Sequence, residues 1–301
     1  MSLAGGLREL LRPPPHRGPV IAAGGVSLAV GLAVLVVHRD QADTLATVLL
    51  LVAGALVFWL GAQSPNEDGL PPAYQSVLLV TGWPLLYAGL LLFFTTVGVT
   101  LLLALTLASL LAATLAVWPA LERNSAIALL GAALAGGTAL LAGWAWLFDT
   151  DSPAPFRVLL ALYAAALVLA SLALREPAPR HAEVLIDAAG LAIALIGVEA
   201  LWTGDDLSGV WQVVLLGAGL GLVAFGALDR HPGPAYLGVA NLVAFIATAG
   251  RFWPFLLISG GVLMLLAGLR PRRPLPPEPD PYRAGEAPLA ARVGESSQES
   301  S

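Results

Sequence analysis

From Ser76 to Trp118 the chain runs without a charged residue. As one helix that stretch would extend about 64 Å at 1.5 Å per residue, about twice the ~30 Å of a bilayer's hydrocarbon. It must therefore fold back on itself, and the Phe94, Thr95 and Thr96 region is where a turn is expected. Similar apolar stretches recur along the chain. Hydrophobic residues make up 57% of the 301, charged residues only 12%, and mean hydropathy is +0.81. Soluble domains carry about 25% charged residues and could not hide this much apolar surface from water.

Cutting the chain wherever charges, proline clusters or Asn/Asp/Gly runs interrupt the apolar stretches gives ten segments, each read as a membrane-spanning helix. They cover residues 19–37, 44–62, 76–94, 96–118, 126–148, 157–174, 184–202, 209–227, 234–249 and 252–270. The expected fold is an all-α polytopic bundle without a soluble domain, because no connecting loop exceeds about a dozen residues, too few to bury a core. Residues 1–18 form a cytoplasmic N-terminal segment, 19–270 the transmembrane domain and 271–301 a tail. That tail is rich in Pro, Glu and Ser and is expected to be disordered, since it cannot bury enough apolar surface to offset its ordering entropy.

Orientation follows from arginine, because basic residues near span ends are retained in the cytoplasm. All 15 basic residues are Arg. With both termini inside, the cytoplasmic segments hold Arg8, Arg12, Arg17, Arg123, Arg175, Arg180, Arg230, Arg270, Arg272, Arg273, Arg283 and Arg292, leaving Arg39, Arg157 and Arg251 outside. The Gln63–Gln75 loop runs against this pattern, carrying Glu67 and Asp68 on the inner side. Tryptophan supports the same cuts, since its amphipathic ring prefers the headgroup level. Seven of the eight lie near span ends, and Trp83 alone sits inside a span, followed by Pro84.

Several function classes fall away. Without Cys there are no disulfides, thiolate metal sites or iron–sulfur clusters. Without Lys neither a Walker A loop nor a Schiff base can form. A formal charge of -5 offers no basic field for nucleic acid. His16, His38, His181 and His231 all fall at or beyond span ends and are read as exposed loop histidines, so no cofactor is expected. Gly217, Gly219 and Gly221 lie in an apolar helix and not in a dinucleotide loop; Gly217 with Gly221, Ser27 with Gly31 and Gly131 with Ala135 have the spacing of close helix packing. No catalytic constellation emerges, and enzymatic activity is not expected.

Two groups of residues remain as candidate sites. Three outer loops carry paired aspartates, Asp40 with Asp43, Asp149 with Asp151, and Asp205 with Asp206; converging with Glu199 they could offer the carboxylate oxygens that Ca²⁺ and Mg²⁺ prefer. The alternative is that they are helix caps and first-turn acids on an Arg-poor face. Asp187 and Glu199 are placed near opposite ends of the seventh span, where each can reach the headgroups. Asn241 is the one amide well inside a span, and with Trp83 and Pro84 as a broken-helix wall it could line a solute path, or it could simply join two helices.

Ala/Leu/Gly-rich spans, with an end reading Phe252-Trp253-Pro254-Phe255 and Ile258-Ser259-Gly260-Gly261 before Arg270, resemble uncharacterised actinobacterial multi-pass membrane proteins. The resemblance implies a cell-membrane location. Ten spans in about 300 residues is also similar to the architecture of drug/metabolite transporters, which are built from two five-helix repeats. Comparison of residues 19–148 with 157–270 shows no matching pattern between five-helix halves. The sequence thus points to a structural or partner-binding membrane component, with the lipid bilayer and another membrane protein or a second copy as partners; a small-solute transporter is the alternative.

Overall fold

A computed structural model describes residues 17–37, 44–66, 71–149, 152–204, 206–229 and 232–248, together with 258, 261 and 262. The described residues hold nine long helices and no strand. These are α1 (Gly18–Val37), α2 (Thr44–Gln63), α3 (Ala73–Thr96), α4 (Leu101–Arg123), α5 (Ala126–Phe148), α6 (Pro153–Leu174), α7 (Pro179–Thr203), α8 (Gly209–Asp229) and α9 (Pro232–Thr248). Eight are long and apolar enough to cross a bilayer, and α9 is a shorter apolar helix. The chain is an integral membrane protein by the measure of these helices. Each of the first nine expected spans falls on a helix, while the tenth, 252–270, and the tail lie outside the described residues apart from those three positions. All nine helices belong to one compact unit, Met1–Ala249, and Gly250–Ser301 form a second.

The turn in the charge-free stretch falls at Val97–Thr100, just beyond the expected place. Gly98 takes φ +86°, a left-handed conformation open to glycine, and the Val97 and Gly98 amides satisfy the last carbonyls of α3. The next hairpin is equally short. Asn124 ends α4 in the left-handed region, and Ser125 caps α5 by accepting a hydrogen bond from the Ala128 amide.

Between helices, glycine sets the distance, at only some of the positions the sequence pattern favours: a Cβ at Gly131 would meet the Trp83 ring at 3.4 Å, and Ala135 is buried. A Cβ at Gly217, Gly221 or Gly31 would meet nothing within 4 Å. At Gly54, Gly82 and Gly89 it would run into backbone: Gly54 faces Leu86, Gly82 faces Phe58, and Gly89 would come to 2.8 Å from the Leu51 nitrogen. These residues press α2 and α3 together as an antiparallel pair. Gly219 and Gly238 do the same for α8 and α9. The small-residue spacing is therefore informative about mechanism and only in part about place, because a helix carries glycine on several faces and only contact selects among them.

The helix contacts have a period of four. α3 packs on α1, α2, α4 and α5; α7 packs on α5, α6, α8 and α9. Adding four to each helix number turns every substantial pairing among α1–α5 into one among α5–α9. Burial repeats with it. One constant shift carries Thr47, Leu50, Gly54, Val57 and Gly61 of α2 onto Arg157, Leu160, Ala164, Leu167 and Ser171, the buried residues of α6. All nine buried residues of α3 fall likewise on buried residues of α7, Tyr74 on His181, Leu78 on Leu185 and Gly89 on Ile196 among them. On the same footing Ala22, Gly25 and Leu32 of α1 match Ala132, Ala135 and Ala142 of α5. Four spans return the chain to its starting side, so the two units α1–α4 and α5–α8 run in parallel, with α9 in the place that opens a third. A comparison of five-helix halves is out of register with this period.

Candidate functional site

Several polar side chains within the spans bond neighbouring helices. Trp83 donates its ring N–H to the Ala112 carbonyl of α4 at 3.4 Å, Tyr87 meets Ser109 at 3.0 Å, and Tyr163 of α6 donates to the Ala133 carbonyl of α5. Ser171 of α6 donates to the Ala182 carbonyl of α7 at 2.7 Å. Threonines bond their own helices, as Thr96 does to Leu92 and Thr114 to Leu110.

Asn241 is fully buried on α9. Its amide donates to the Gly190 carbonyl of α7 at 3.1 Å and to Leu237 at 2.8 Å, while its Oδ1 has no protein partner. Trp83 and Pro84 lie on α3, lining an apolar cavity of about 150 Å³ with Phe58, Leu79, Ile127 and Gly131. Asn241 is thus held between α9 and α7, whereas Trp83 bonds Ala112 of α4 and faces Gly131 of α5.

Of the seven acids grouped as a cation site, Asp40, Asp43, Asp151 and Asp205 lie outside the described residues. Asp149 ends α5 with φ 44°, its N–H bonded to the Ala145 carbonyl; it and Asp206 are exposed. No group of three or more acidic or histidine side chains gathers among the described residues. Glu199 has a different partner, one on another helix. Arg157 Nε donates to Glu199 Oε2 at 2.8 Å and Arg157 Nη2 to Oε1 at 3.2 Å, a two-pronged pair joining α6 to α7. The guanidinium is buried and the carboxylate side chain is 28% exposed. Sequence reading placed Arg157 as a stray outer arginine, because partners 42 residues apart leave no local signal. Beside the pair lies a cleft of about 410 Å³, lined by Leu141 of α5, Phe156 and Leu160 of α6, and Leu195, Glu199 and Trp202 of α7.

His181 corrects another expectation. It is buried in the first turn of α7 and not exposed in a loop. The other three histidines lie outside the described residues. Asp187 sits against the start of α9, where a Cβ at Gly233 would come within 2.8 Å of its Oδ2, so glycine there admits the carboxylate to a helix N-terminus.

No known protein family, curated protein or solved structure matches the chain.

Proposed function

We propose that the protein is a structural, partner-binding component of a bacterial cell membrane, with both termini on the cytoplasmic side. One observation carries this reading: hydrogen bonds from Trp83, Tyr163, Ser171 and Asn241, and one between Tyr87 and Ser109, fasten one helix to another. In hydrocarbon such groups find partners in neighbouring helices, and a bundle fastened in several places holds its outer surface in a fixed shape for another membrane protein. The Arg asymmetry supports the orientation. Purified protein sealed into vesicles should leave permeability to small solutes unchanged, and gradient-driven uptake of a solute would overturn the proposal. Reporter fusions after Asn66 and after Ser301 should both be active only inside the cell.

The cavity at Trp83 and Pro84 favours a second reading, a small-solute transporter. Under it Gly131→Leu, which fills that cavity, would abolish flux.

A further inference from the structure

We draw no further inference here: the strongest candidate, the Gln75 side-chain amide buried in the first turn of α3 with no hydrogen-bond partner on either of its polar atoms among the described residues, carries nothing because nothing in the structure shows what it would receive.

Discussion

Adding one methyl group at Gly82 should weaken the bundle measurably. An alanine Cβ there would lie 2.8 Å from both Phe58 Cα and Val57 C, where carbon atoms rest at about 3.5–4.0 Å, so α2 and α3 must part by about 1 Å. A buried side chain of leucine size makes about 40–60 atom contacts at about 0.1–0.2 kcal/mol each, and such a gap forfeits a quarter to a half of that attraction. The product is roughly 1–6 kcal/mol, and relaxation of helix tilt brings it toward the ~1–3 kcal/mol usual for overpacking. Gly217→Ala is the control, with nothing within 4 Å of the new methyl. Reversible unfolding in mixed micelles, with sodium dodecyl sulfate as denaturant, would read both variants. Gly82→Ala should lose about 1–3 kcal/mol and Gly217→Ala none; equal stability of the two would refute the claim that backbone approach at Gly82 holds α2 to α3.

Further outcomes follow from the other contacts. Gly238→Ala should destabilise by a similar ~1–3 kcal/mol, since its Cβ would come to 2.7 Å from the Val223 nitrogen, and the same denaturation assay would show it. Glu199→Leu alone should cost more than R157T/E199L, because it takes the carboxylate away from a buried guanidinium; the loss is up to ~3–5 kcal/mol, reduced because the carboxylate is partly exposed, and thermal unfolding in detergent would rank the two. Tyr163→Phe should lose roughly 0.6–2 kcal/mol by removing the bond to Ala133, and a loss confined to Tyr163→Ala would assign the residue's contribution to packing instead.

Helix existence was legible because a bilayer demands about 20 apolar residues per span, and that requirement writes itself into runs of sequence. The repeat was not, because the units share burial and not residue type: Gly89 corresponds to Ile196 and Tyr74 to His181, and any side chain that fills its gap serves in lipid. The Asn241 contact was half legible. Its isolation within a span marked it for a helix partner, but only packing shows that the partner is the Gly190 carbonyl. Arg157 was missed because its charge was read as a topology signal near a span end, and the match between Arg157 and Glu199 exists only once α6 and α7 lie side by side.

The chain has no native cysteine, so paired cysteines can test the four-helix period directly. Gly25 of α1 faces Leu78 of α3, with a Cβ at Gly25 reaching 3.1 Å from the leucine, and the repeat carries this pair onto Ala135 of α5 and Leu185 of α7. A short bifunctional thiol reagent bridges two cysteines across such a side-chain contact. Cross-linking with it in native membranes, read as the retained linkage after proteolysis between the two sites, should link G25C/L78C and A135C/L185C to similar extents. Linkage of the first pair with none in the second would contradict the repeat.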